Sequence, residues 1–290
     1  MRILHVGKYF PPCRGGMETV LHELSVGCLE RGCAVSVITA GDGVSPARET
    51  FGPGGRGRLR RLPVAAHVNS QPLTLGLVSA LRREILDFEP DLVQLHLPNP
   101  LAAAAWLILE NLPGADLPPM AVWYHADITR QRLGRVLVQP LLDRCLDRAA
   151  GISVSSRELA ETSPILRAHR DRVEVVPFGI DSSPWDQVEP RGEGAFLFVG
   201  RLVPYKGLRV LFEALAAVGE AELVVVGTGP QREELDGLAT ELGIEGRIRF
   251  AGELSRDQLA MEMGEAKALV LPSLDRSETF GLVQLEAMAA

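Results

Sequence analysis

The stretch Phe196-Leu-Phe-Val-Gly-Arg-Leu-Val-Pro-Tyr-Lys-Gly207 decides the fold. Four apolar residues stop at a glycine, a short polar turn follows, and a helical pattern runs over 206–218. A short apolar run, a glycine turn and a helix form the repeating unit of parallel sheets. Reading forward, the alternation continues, with strands expected at 223–226, 248–251 and 268–271 and helices at 231–242 and 257–265. Reading backward, 182–194 is rich in Pro, Gly and Ser and reads as a linker. Before it the same alternation recurs. Strands are expected at 3–6, 35–39, 92–96, 121–125 and 152–155, and helices at 17–30, 75–88, 131–147 and 157–166. The expectation is an α/β protein of two doubly wound parallel-sheet domains, 1–181 and 195–290. Ligands of such sheets sit beyond the carboxyl ends of the strands.

Bulk properties agree with two domains. The chain has 290 residues, 46% apolar and 23% charged, ordinary for a globular protein with a sizeable core. The net charge of -7 is uneven: 20 Lys/Arg against 18 Asp/Glu in residues 1–180, but 10 against 19 in the remainder. That asymmetry either turns an anionic partner toward the N-terminal half or is solvated surface charge. Arg48, Arg56, Arg58, Arg60 and Arg61 lie among glycines and prolines, which reads as a mobile loop, solvated or in contact with a membrane. An acidic chain without a nucleic-acid motif argues against a nucleic-acid partner. Cys13, Cys28, Cys33 and Cys145 fit neither a metal site nor a disulfide framework, and a cytoplasmic setting is expected. The first residues run straight into a strand, so no signal peptide is expected. The longest apolar run, 101–109, is well short of the roughly 20 residues of a membrane span.

Several strand ends carry chemistry. Gly15 and Gly16 precede the first helix and let backbone amides approach a phosphate, or simply make a turn. Arg201 and Lys206 bracket the turn after Gly200, placed to grip a diphosphate: arginine by paired hydrogen bonds, lysine as a point charge. Gly227 and Gly229 follow a further strand and give backbone room to a nucleotide, but position 232 is Arg, so no GxGxxG fingerprint forms. A nicotinamide-dependent oxidoreductase is thereby disfavoured. His125 ends the strand expected at 121–125, with Asp127 beside it; it is either structural or turned to a cleft, and His5 is open to the same two readings. His96-Leu-Pro-Asn-Pro100 reads as architecture. Glu278 and Glu286 are eight positions apart across the start of a helix, with Phe280 and Gly281 between them. Amides there could approach a sugar hydroxyl or phosphate, Glu278 could hold hydroxyls, and Glu286 a ribose.

Taken together, these strings resemble family 4 glycosyltransferases, retaining enzymes of the GT-B fold. The resemblance spans the Pro-Pro-x-x-Gly-Gly loop at 11–16, Gly-Arg-Leu-x-x-x-Lys-Gly at 200–207 and the paired glutamates. His125-Ala-Asp-Ile-x-Arg-Gln131 is similar to the version in bacterial mannosyltransferases of surface-polysaccharide assembly, with Ala126 where Ser is usual. It implies two Rossmann-like domains facing a cleft, 1–181 on the acceptor side and 195–290 binding the nucleotide sugar. Arg201 and Lys206 would hold the donor diphosphate, Gly16 would lie near it, Glu278 would bind donor-sugar hydroxyls, Glu286 the ribose, and His125 the transferred sugar. GDP-mannose is the implied donor, a sugar or lipid-linked hydroxyl the acceptor, and no metal or other cofactor is needed. Peripheral contact with an anionic membrane, through the arginine-rich stretch and the basic start of 129–147, would bring the enzyme to such an acceptor. Members of the family continue for some further strands and helices, so the second domain is expected to be incomplete. The rival expectation is a truncated, catalytically inactive chain that still binds nucleotide or a partner.

Overall fold

The computed structural model describes residues 1–13, 15–41, 46–68, 71–128, 132–186, 188–275 and 277–290, without the side chains of 132–137. They form two compact units, Met1–Pro177 and Phe178–Ala290.

The first unit is built on a sheet of β1 (Arg2–Val6), β2 (Ala34–Ala40), β3 (Ala47–Phe51), β4 (Gly57–Leu62), β7 (Leu92–Leu97), β8 (Met120–Tyr124), β9 (Ile152–Val154) and β10 (Val173–Val175). Their order is β10-β9-β8-β7-β1-β2-β4-β3, parallel throughout except for β3 against β4. A separate antiparallel pair joins β5 (Val64–Val68) and β6 (Gln71–Thr74). Side chains alternate across each strand. Leu4, Val6, Ile38, Val93, Leu95, Leu97, Val122 and Tyr124 share one face and one core with α2 (Leu77–Phe88), α3 (Pro100–Glu110) and α4 (Arg132–Arg148). Val35, Val37 and Leu59 face the other way, against α1 (Gly16–Glu30). α5 (Arg157–Thr162) completes the unit.

Among the elements of this unit that the sequence pattern did not announce are the arginine-rich strands and α3. The arginine-rich stretch is no mobile loop: it forms β3, a tight turn and β4, with β4 inside the sheet between β2 and β3. Arg61 is buried there, donating to the Glu49 carboxylate at 2.8 Å and to the carbonyls of Phe10 and Pro11, while Arg60 pairs with Glu84 at 3.7 Å. These acceptors satisfy a buried guanidinium that would otherwise be costly. The second addition is α3. It is apolar on nearly every face, so it lacks the stripe that announces a surface helix. Asn99 caps it by accepting from the Ala102 amide at 3.2 Å.

The second unit carries a parallel sheet in the order β11-β12-β13 (Phe196–Val199, Leu223–Val226, Ile248–Gly252) with α6 (Leu208–Ala217), α7 (Arg232–Glu241), α8 (Arg256–Glu265) and α9 (Leu282–Ala289). Phe198, Phe212, Leu223, Val225, Leu235 and Leu238 form one core, Leu197, Val224, Val226 and Met263 another. The fourth strand expected at 268–271 is reduced to one parallel bridge, Leu197 to Leu269. The stretch 182–194, expected to be a linker, belongs to this unit: Trp185 is 1% exposed and packs in the second core.

Candidate active site

In the second unit, loops beyond the carboxyl ends of β11 and β12 meet the segment before α9. The Gly200 amide donates to the Val226 carbonyl at 3.0 Å and the Leu202 amide to the Thr228 carbonyl at 2.9 Å. Gly227 has φ +122°, and a Cβ on it would collide with the Gly200 carbonyl oxygen. Gly229 lies equally tight against the backbone of Leu202. Both glycines therefore face the neighbouring loop's backbone, a demand that a sequence reading aimed at a nucleotide does not capture.

Lys206 ends the 3₁₀ turn Pro204–Lys206, and the helix expected from 206 begins only at Leu208, because Gly207 takes φ +73° and caps α6. The Tyr205 carbonyl accepts from the Leu274 amide at 2.8 Å, tying this turn to the 272–274 segment. That tie brings the Lys206 ammonium onto the Glu278 carboxylate, 72 residues away in sequence. The two side chains are 11% and 19% exposed. Nζ of Lys206 also lies against Gly200, 3.5 Å from where a Cβ would stand, and the Ser273 hydroxyl is 3.5 Å from Glu278. Gly200, Lys206, Gly227 and Glu278 are thus one cluster. Arg201 is exposed beside it. Gly281, at φ +72°, caps α9 without help from a side chain, and Phe280 packs edge-on against Phe178 with ring centroids 5.1 Å apart. Glu286 lies on α9, half-buried. Burial pushes its carboxyl up, with Arg256 opposing.

In the first unit, Gly15 and Gly16 are exposed at the start of α1, and a Cβ on Gly16 would meet nothing within 4 Å. His125 is buried just past β8, its amide donating to the Leu97 carbonyl at 2.8 Å. Its Nε2 is 2.9 Å from Nδ1 of His96, whose Nε2 is 3.1 Å from Nδ1 of His5. Neither His5 nor His96 was singled out by the sequence for this contact; the signal is that all three stand at ends of strands adjacent in the order β8-β7-β1. Burial drives His5 down to about 4 and His125 to about 3. His96 is also pushed far down, by burial first and then by its two neighbours. The rings are neutral near pH 7. Asp127 holds the following loop, accepting from Tyr124 Oη at 2.9 Å and Ser163 Oγ at 2.6 Å. The 129–131 part of the motif lies outside the described residues.

Residues 14–183 match the family described as Glycosyltransferase Family 4, and residues 180–290 match Glycosyl transferases group 1. The chain belongs to glycosyltransferase family 4. It is 33% identical over 297 residues to the O-antigen chain mannosyltransferase C of Escherichia coli, covering 99% of this chain and 76% of that protein. A D-rhamnosyltransferase of Pseudomonas aeruginosa is 31% identical, covering 99% and 74%. Among solved structures, a sucrose-phosphate synthase from Thermosynechococcus elongatus superposes with a TM-score of 0.79 at 18% identity, covering 99% of this chain and 78% of that one. The fold is that of the GT-B glycosyltransferases, as expected from the motifs. Among the described residues no helix is long and apolar enough to cross a membrane.

Proposed function

We propose that the protein is a retaining glycosyltransferase that moves mannose from GDP-mannose to an acceptor hydroxyl in surface-polysaccharide or glycolipid synthesis. The observation that carries the reading is the Lys206–Glu278 pair against Gly200 at the carboxyl ends of β11 and β12. It puts a cation and a carboxylate side by side where a parallel sheet takes its ligand, which supports a grip on a diphosphate beside a hydroxyl-bearing sugar. Mannose and GDP rest on the likeness to the mannosyltransferase.

In this reading Lys206 and exposed Arg201 grip the diphosphate and stabilise the charge that grows on it as the glycosidic bond breaks. Glu278 accepts hydrogen bonds from the donor sugar, and Glu286 from the ribose. The Phe280 and Gly281 amides, Gly227 and Gly229 border the nucleotide, Gly15 and Gly16 its phosphates, and His125 meets the transferred sugar. Exposed Arg48 and Arg58 would carry a peripheral contact with anionic lipid; Arg60 and Arg61 are already engaged within the sheet.

The test is a transfer assay with GDP-mannose, UDP-glucose and UDP-galactose on a lipid-linked acceptor, beside calorimetry with GDP and UDP. Turnover with GDP-mannose that is lost in Lys206→Ala and Glu278→Ala is expected. GDP binding with no turnover from any donor would instead favour the non-catalytic nucleotide binder. Salt-insensitive failure to co-sediment with anionic vesicles would remove the membrane contact.

A further inference from the structure

Glycine at 207 meets two demands at once. Its φ of +73° closes the Pro204–Lys206 turn and caps the start of α6. A backbone of that hand suits glycine best, but asparagine adopts it as well. The second demand is space. A Cβ on Gly207 would collide with the Pro272 carbonyl oxygen, and would stand 3.0 Å from the carbonyl carbon and 3.3 Å from Cδ2 of Leu274. A main-chain carbonyl cannot swing aside as a long side chain does, so the whole 272–274 segment would have to withdraw. Gly243, just past α7, isolates the first demand: its φ is +66°, yet a Cβ there would meet nothing within 4 Å among the described residues.

The contact at Gly207 has a counterpart one residue before Lys206, where the Tyr205 carbonyl accepts from the Leu274 amide at 2.8 Å. The two contacts flank Lys206. Together they lay the turn that carries the ammonium along the segment that leads to Glu278. In that segment the Ser273 hydroxyl stands 3.5 Å from the Glu278 carboxylate. Making room for a Cβ would push Pro272 back by at least about 1 Å, since non-bonded carbon settles roughly 3.5 Å from its neighbours. A sheltered ion pair repays its desolvation only with close geometry. Lys206 and Glu278, 11% and 19% exposed, are therefore sensitive to such a shift.

We propose that Gly207 is a positioning residue: by carrying no side chain it lets the 272–274 backbone close onto the Lys206 turn, and so sets the Glu278 carboxylate on the Lys206 ammonium. The feature that matters is the space, and the φ alone does not supply it. In the donor site one backbone contact then fixes both the diphosphate grip and the sugar contact, a consequence that rests on the transferase reading. The hold on the ion pair does not rest on it.

Urea unfolding of the full chain without ligand tests the hold on the pair. Lys206→Met, Glu278→Gln and their combination form a double-mutant cycle whose coupling measures the pair. The cycle is repeated in Gly207→Ala, Gly207→Asn and Gly243→Ala. Both alanines strain a left-handed backbone, and the one at 207 also collides with a neighbouring backbone; asparagine at 207 eases the strain but keeps the collision. The coupling should be kept in Gly243→Ala and fall below about half in Gly207→Ala and Gly207→Asn. A coupling undiminished in Gly207→Ala, restored in Gly207→Asn, or equally weakened in Gly243→Ala overturns the proposal. Hydrogen exchange on the wild-type chain adds a check that needs no variant to fold: the Leu274 amide should be protected, and exchange at the open-chain rate overturns the proposal too. In a transfer assay with GDP-mannose, Gly207→Ala should lower kcat by on the order of a hundredfold while Gly243→Ala keeps it. Lost coupling in a chain that transfers no sugar leaves the positioning role standing and sinks the transferase reading alone.

Discussion

Glu278→Gln should tighten the binding of GDP while abolishing transfer, two effects of opposite sign from one substitution. Without ligand the Lys206 ammonium is neutralised by Glu278, so a diphosphate must compete with a carboxylate already in place. Exposed pairs are worth about 0.2–1 kcal/mol, and breaking a fully buried one costs about 3–5 kcal/mol. With side chains 11% and 19% exposed, this pair falls between them, near 2 kcal/mol. Glutamine keeps the shape and removes the competing charge. If about 1.4 kcal/mol of that competition is relieved, GDP binds about tenfold tighter. GDP has no sugar, so it loses nothing with the carboxylate; GDP-mannose does, and gains less. Lys206→Met should weaken both ligands. Each single substitution should also destabilise the fold by about 2 kcal/mol, and the double substitution by clearly less than the sum, because neither charge is then left alone. Calorimetry at two salt concentrations reads the first effect and urea unfolding the second. The competition argument would be refuted by Glu278→Gln weakening GDP in parallel with Lys206→Met.

Three further outcomes are expected. Gly227→Ala should cost about 1–3 kcal/mol in urea unfolding, since its φ of +122° and the Gly200 carbonyl both oppose a Cβ; a neutral result would mean the loops slide apart freely. Arg61→Ala should destabilise by about 2–3 kcal/mol by leaving the carbonyls of Phe10 and Pro11 without their donor and emptying the space of a buried side chain, whereas exposed Arg58→Ala should stay within about 0.5 kcal/mol; equal effects would contradict the buried role of Arg61. Stability should fall as pH drops from about 6.5 toward 4, because His5 and His125 stay neutral in the fold to about 4 and 3 but take up protons when unfolded. The unfolded state binds more protons in that window, so stability is complete above it and lost below, at about 1.4 kcal/mol per pH unit for each ring. An acid limb of unchanged slope in His5→Gln would count against this assignment.

Much of the fold was legible because the central strands are unbroken apolar runs that stop at turn residues, as in Leu223–Val226 before Gly227. β4 was not. Its alternation places arginine where an apolar residue is expected, and the Glu49 carboxylate with the carbonyls of Phe10 and Pro11, about fifty residues away, makes that tolerable. α3 escaped notice for the opposite reason, being too uniformly apolar to show a period. At the site, residue types and spacing pointed to Lys206 and Glu278 singly. Their pairing depends on the Tyr205–Leu274 tie, which no local pattern encodes. His5 and His96 were visible as strand-end residues, but only strand order makes them neighbours of His125.

The two clusters differ in a way that bears on their use. The Lys206–Glu278 pair keeps part of its surface open to solvent, so a ligand can enter and exchange partners with it. The histidine row is almost wholly buried, and burial has removed its charge, so nothing entering from solvent is positioned to rearrange its inner links. A group meant to grip a charged leaving group gains from being exchangeable. The Lys206–Glu278 pair consists of charges that neutralise each other until displaced, whereas the histidine row is neutral throughout. Substitutions should therefore differ in one readout: at Lys206 and Glu278 they should change the affinity for GDP and its salt dependence as well as turnover, and at His96 they should leave the salt dependence of GDP binding unchanged. A His96→Gln variant whose defect is a salt-sensitive loss of GDP binding would break that division.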